Sequence, residues 1–207
     1  MASRDRCNRS NTDYSGELPR DVGVRRLVSL GPERFHADMR HVDLGEGVQL
    51  SAISWGTAIE METEPLPDRY LVTVPLAGEV MVNVGGTDVT ADTGCAVIIG
   101  TEDETTQRWS ADAAAIWLHL GRAAVEEEAR HVARAEERAV SLPARQPVRL
   151  EPGLDLTRGD GQEWRAALQR LVDLLEERYS VESIPPHRLT VLRRDVVAGL
   201  VRAAWQP

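Results

Sequence analysis

The sequence predicts a mainly β fold, closed as a barrel or sandwich and followed by C-terminal helices. Three observations carry this. Residues 68–100, "DRYLVTVPLAGEVMVNVGGTDVTADTGCAVIIG", read as short β-rich runs separated by glycine-containing turns. About eight such runs precede Gly121, at the spacing of a small barrel or sandwich. After Gly121 the apolar residues recur at helical rather than alternating spacing.

Taken in chain order, residues 1–20 are polar and aperiodic and are expected to form a mobile tail. The stretch from Asp21 onward offers a short helix or strand ending at Gly31-Pro32. "VQLSAISWGTAIEME", residues 48–62, reads as two strands hinged at Gly56 and closed by Pro65 and Pro67. Tyr70 to Leu76 is a strand, turned by Ala77-Gly78, and Glu79 to Val84 is the next. Gly85-Gly86 is a hairpin signal, because primed two-residue turns need positive φ. Val89-Thr90, Cys95 to Ile99, the run ending in "QRW" and "AAAIWLHL" at 113–120 complete the set.

Beyond Gly121, "RAAVEEEARHVARAEERAV" predicts a helix with Val125, Ala129, Val132 and Ala133 on one face. "PVRLEPGLDL" is extended and either crosses the surface or adds a strand. A second helix starts near Asp160, where Asp160 and Glu163 have capping-box spacing. Trp164, Ala167, Leu168, Leu171, Leu174 and Leu175 form its apolar side. Pro185-Pro186 opens a third, with Leu189, Leu192, Val196 and Leu200 as its stripe.

Composition excludes several function classes. The formal charge of −9 is wrong for a unit that grips DNA phosphates by itself. All 24 basic residues are arginine, so no lysine is available for Schiff-base or P-loop chemistry. Cys7 and Cys95 make neither a disulfide framework nor a zinc site. No secretory signal or membrane-length apolar run is visible, and the chain is expected in the cytoplasm. His36 and His41 sit five apart, which on a helix puts them on different faces and makes no metal pair. His131 and His187, the acidic run Glu126 to Glu128 and "TEDE" at 101–104 read as surface features. No hydrolase, zincin or nucleotide-loop motif is present.

Residues 35–121 resemble the N-terminal effector-binding domain of AraC/XylS-type bacterial transcriptional regulators. The pieces that carry the likeness are "FHADMRHVDLG", "DRYLVTVPLAGEVMVNVGG", "TADTGCAVI" and "RWSADAAAIWLHLGRAA". "PVRLEPGLDLT" and "GQEWRAALQRLVDLL" extend it, so that it covers about 35–207. The resemblance implies a cupin-like β-barrel over 21–121, followed by about three α-helices in a dimerisation and linker region over 122–207. It also implies a small organic effector, a homodimer, and a DNA-binding domain of roughly 100 residues with two helix-turn-helix units. That last domain is not among these residues, so DNA is expected to be met only through it.

Set beside metal-binding cupins, the sequence lacks the expected histidines. "PLPDRYLVTVPLAG" offers only Asp68, and Gln107 stands about where a histidine ligand is expected. No metal or other cofactor is therefore expected, nor a catalytic set. An organic guest is expected instead, held by apolar and aromatic walls with a few polar groups. Trp117 and His119 lie two apart, as do Gln107 and Trp109, and as do Leu71 and Thr73. By analogy with cupin ligand positions, all six point inward and form the ligand-binding set. The tryptophans can equally fill the core, and His119 can be a satisfied core group. Trp55 has no determined facing. Arg108 faces outward if Gln107 faces inward. The resemblance assigns Leu189, Leu192, Val196 and Leu200 to a two-fold helix contact, with packing inside one chain as the alternative. The expected function is effector sensing, without catalysis. The alternatives are a metal-independent isomerase or lyase using Gln107 and His119, and a stand-alone interaction module.

Overall fold

The computed structural model of the chain describes residues 23–32, 35–135, 147–177 and 181–205. Eleven strands and three α-helices account for most of them. The strands are β1 (Val24–Ser29), β2 (Asp38–Asp43), β3 (Val48–Ser54), β4 (Ile59–Thr63), β5 (Arg69–Ala77), β6 (Val80–Val84), β7 (Thr87–Ala91), β8 (Cys95–Ile99), β9 (Thr105–Trp109), β10 (Ala114–Gly121) and β11 (Gly153–Asp155). The helices are α1 (Arg122–Ala135), α2 (Gly159–Glu177) and α3 (Pro186–Ala204). Cys7, the tail expected over 1–20 and the end of the first predicted helix lie outside the described residues.

The strands form two antiparallel sheets in the orders β1-β4-β9-β6-β7 and β11-β8-β5-β10-β3-β2. They face one another, and β7 packs beside β8 where one sheet passes to the other. The expectation of a mainly β, cupin-like barrel with about three C-terminal helices is met. The stretch left open as helix or strand is the strand β1, paired along β4. β2, which was not foreseen, pairs with β3 at the edge of the six-stranded sheet. The extended segment before α2 contributes β11, which pairs with β8.

Two cores share the six-stranded sheet as their common wall. Between the sheets lie Ile53, Trp55, Ile59, Met61, Leu71, Val82, Val97, Trp109 and Trp117. On its outer face, Tyr70, Val72, Val74, Ile116, Leu118 and Leu120 pack against α1, α2 and α3. The central strands β5 and β10 are therefore buried on both sides, which is why "YLVTV" and "IWLHL" read as nearly unbroken apolar runs.

Two glycines set how closely the helical layer approaches. A Cβ on Gly161 would stand 2.0 Å from the carbonyl oxygen of Asp155, so α2 can begin against β11 only without one. Gly199 lets Trp164 lie against α3, where its indole nitrogen donates to the Val196 carbonyl at 3.0 Å. Among the described residues no helix is long and apolar enough to cross a membrane.

The α3 stripe corrects one expectation. Val196 and Leu200 are 0% exposed and Leu189 8%, all within the chain's own core, with Leu192 packed against it. These side chains hold α3 to its own sheet and neighbouring helices, the packing inside one chain that was the alternative.

Candidate functional site

The inner faces of the sheets can be read row by row, because directly paired residues share a face. In the six-stranded sheet one row runs Val97, Thr73, Trp117, Ser51, His41. The next runs Ile99, Leu71, His119, Gln49, Asp43. In the five-stranded sheet Met61, Gln107, Val82 and Val89 form one row, and Ile59, Trp109, Val80 and Ala91 another. All six residues proposed from the sequence are thus buried on the inner faces. Arg108 points the other way and pairs with Glu60 outside the barrel at 3.0 Å.

The centre is an aromatic cluster. Trp55, Trp109 and Trp117 meet edge to face, with ring centroids 5.8–6.1 Å apart. His119 lies edge-on to Trp117 at 6.4 Å. Trp55, whose facing the sequence left undetermined, is the third wall of this cluster. It follows the last residue of β3, outside the ladder, and Phe35 stacks on its other side at 5.9 Å. Because Trp117, Thr73 and Gln107 are 0% exposed, no water-sized gap adjoins them. The expected guest chamber is closed in this conformation and filled by the residues that were to line it.

The two walls differ in how their polar atoms are satisfied. On the five-stranded side Trp109 Nε1 donates to Gln107 Oε1 at 3.1 Å. Gln107 Nε2 donates to Thr105 Oγ1 at 3.1 Å, and that hydroxyl shares a 2.7 Å bond with Thr63. The glutamine standing at an expected metal-ligand position is therefore spent on a buried hydrogen-bond chain. On the other side, Thr73 Oγ1, Trp117 Nε1 and Trp55 Nε1 are buried without a hydrogen-bond partner. An unmet buried donor costs about 1–3 kcal/mol, so such atoms call for an explanation.

At the sheet edge the exposed His41 meets the buried Ser51 through Nδ1 and Oγ, 3.0 Å apart. The β2–β3 turn beyond it is held to α3 by Arg193. That guanidinium donates to the Leu44 carbonyl and to Thr190 Oγ1, and pairs with Glu46 at 3.0 Å. Among the described residues no cluster of histidine, cysteine, aspartate or glutamate forms a metal-holding group.

Ser51, Thr63 and Thr105 were missed from sequence, and Trp55 was noted without its facing. Their signal was the alternation of β3, β4 and β9, with small polar residues at inward positions. Trp55 gave none, since it lies off the strand.

The arrangement is thus a two-sheet barrel with helices on the outer face of one sheet. The AraC-binding-like domain model covers residues 20–193. The chain belongs to that family. Among solved structures it is similar to the AraC-like transcriptional activator CuxR, with 16% identity and a TM-score of 0.59. That match covers 87% of this chain and 62% of CuxR, so the chain spans less than two thirds of its neighbour's length. It is also similar to KdgF from Halomonas sp., at 11% identity and a TM-score of 0.37, covering 44% of this chain and 87% of that one. A cupin domain of an XRE family transcriptional regulator from Enterobacter cloacae matches at 12% identity and a TM-score of 0.36, covering 41% of this chain and 95% of that one. No curated protein matches the sequence.

Proposed function

We propose that the chain is the effector-sensing part of an AraC/XylS-type transcriptional regulator, and that it takes a small organic molecule between the two sheets. The observation that carries this is the contrast between the walls. One links Trp109, Gln107, Thr105 and Thr63 in a hydrogen-bond chain, whereas the other buries Thr73 Oγ1, Trp117 Nε1 and Trp55 Nε1 unpartnered beside aromatic faces. A closed form with unmet donors and an open form whose donors are met by a guest make a two-state element that a ligand biases.

The wall that carries these atoms also carries the helices on its far side, so occupancy reaches α3 through one sheet and through the Arg193 contact with the β2–β3 turn. Phosphate contact is left to a separate basic domain, because this chain carries a net −9. Pairing of two copies, where it uses α3, falls to outward residues such as His187, Arg188, Val191 and Arg194.

The reading is tested by thermal denaturation of the chain against a metabolite library, with Trp117→Ala as control. A ligand present at about 100 times its Kd adds about 2.7 kcal/mol to the wild type. The expected result is a raised Tm for the wild type that the folded variant does not show. Equal shifts in both proteins would place the binding elsewhere.

A further inference from the structure

The unpartnered atoms also say what kind of guest fits, an inference that rests on the reading just given. Trp117 and Thr73 are direct cross-strand partners, so Nε1 and Oγ1 belong to one row of the six-stranded sheet. Both residues are 0% exposed, and neither atom has a partner. An indole N–H only donates, and a threonine hydroxyl can do so too. A carbonyl oxygen has two lone pairs and can accept from both at once.

Charge narrows the class further. Arginine supplies every fixed positive charge of the chain. Among the described arginines only Arg193 is buried, and it sits on α3, bound to the β2–β3 turn. A carboxylate brought between the sheets would lose its hydration and meet no arginine among the described residues, which is strongly unfavourable.

Size follows from which ring can move. Trp109 is held by its bond to Gln107, and Trp117 stands in the middle of the sheet. Trp55 lies outside the ladder, next to Gly56 with φ of 65°, and has no bond through its indole nitrogen. Swinging Trp55 aside opens a space of about one indole between the remaining aromatic faces.

We infer that the barrel selects an uncharged guest of one or two rings bearing a carbonyl oxygen, which accepts from Trp117 Nε1 and Thr73 Oγ1 in the place vacated by Trp55. A hydrocarbon of the same shape leaves both donors unmet, and an acid of the same shape arrives charged.

Acetophenone, ethylbenzene and benzoate form a matched triplet for the test. Their affinities for the 207-residue chain are measured at pH 7.5 by saturation-transfer NMR titration. Acetophenone is expected to bind at least about tenfold more tightly than either of the others. Thr73→Val and Trp117→Phe should each reduce the advantage of acetophenone over ethylbenzene, measured as the ratio of the two affinities in the same variant. Thr73→Val, nearly the same shape, guards against loss of fold in the tryptophan variant. Benzoate or ethylbenzene binding as tightly as acetophenone, with sensitivity to the same variants, would overturn the carbonyl assignment and leave the barrel as the site. If none of the three binds the wild type, the guest site itself is refuted.

Discussion

Thr73 and Gln107 face one interior from opposite sheets, and their energetics have opposite signs. Gln107 satisfies Trp109 and Thr105, whereas the Thr73 hydroxyl is buried with nothing to bond. Replacing the hydroxyl by a methyl removes that penalty, so Thr73→Val should stabilise the ligand-free chain by about 1 kcal/mol. At this size that is a rise in Tm of about 2–4 °C. Destabilisation in calorimetry would mean that the hydroxyl is satisfied after all. Tyr70 gives the pH prediction. Its hydroxyl donates to the Val148 carbonyl at 2.7 Å. Burial first, and then the charge of Glu126, hold the phenol well above its ordinary value of 10.0. The folded chain keeps this proton at a pH where the unfolded chain has lost it. The contribution is thus complete below the ordinary value and falls away as pH rises above it. Tyr70→Phe should flatten that alkaline decline while costing about 1 kcal/mol at neutral pH. Urea melts at pH 8 and pH 10.5 measure both effects. Strand alternation paired the six residues on shared faces, and only the likeness to cupins said that those faces point inward; the facing of Trp55 was not legible, because the chain leaves the ladder there and no period applies.

Among the elements, β2 was hidden in the sequence and β1 was left open between helix and strand. Neither contains a buried residue, and a strand half-exposed on both faces lacks the burial that imposes alternation. β5 and β10 were easily seen as strands, but their unbroken apolar character was the mark of a sheet covered on both sides. The α3 stripe was located correctly as a stripe. What the spacing could not say was whose surface covers it, since an apolar helix face looks the same whether it meets its own sheet or a second chain. Here it meets the chain's own core. The junction of β11 and α2 supplies a strict test of that packing. Gly161→Ala would drive a methyl into the Asp155 carbonyl, which stands 2.0 Å from the position of a Cβ. A loss of about 3 kcal/mol is expected in denaturant melts. A change within about 0.5 kcal/mol, the range of ordinary surface substitutions, would mean that α2 does not start against β11 as described.

At the scale of the molecule, one sheet serves two cores. Along β5, Leu71 and Thr73 turn to the aromatic cluster while Tyr70, Val72 and Val74 turn to the helices. A change on the first face therefore has one layer of backbone to cross before it reaches α1 and α3. The proposed sensing function uses this short path from the interior to the helical layer. The central claim is that a guest enters between the sheets, and the five tryptophans of the chain allow it to be checked site by site. Trp55, Trp109 and Trp117 line the interior, while Trp164 and Trp205 belong to the helical core. The indole N–H resonances in a ¹⁵N-labelled sample, followed during titration with acetophenone, separate the two groups. The account predicts that Trp55 and Trp117 shift most, Trp109 shifts with them, and Trp164, bonded to Val196, stays in place. Movement of Trp164 or Trp205 alone, with the three interior signals unchanged at saturation, would contradict it.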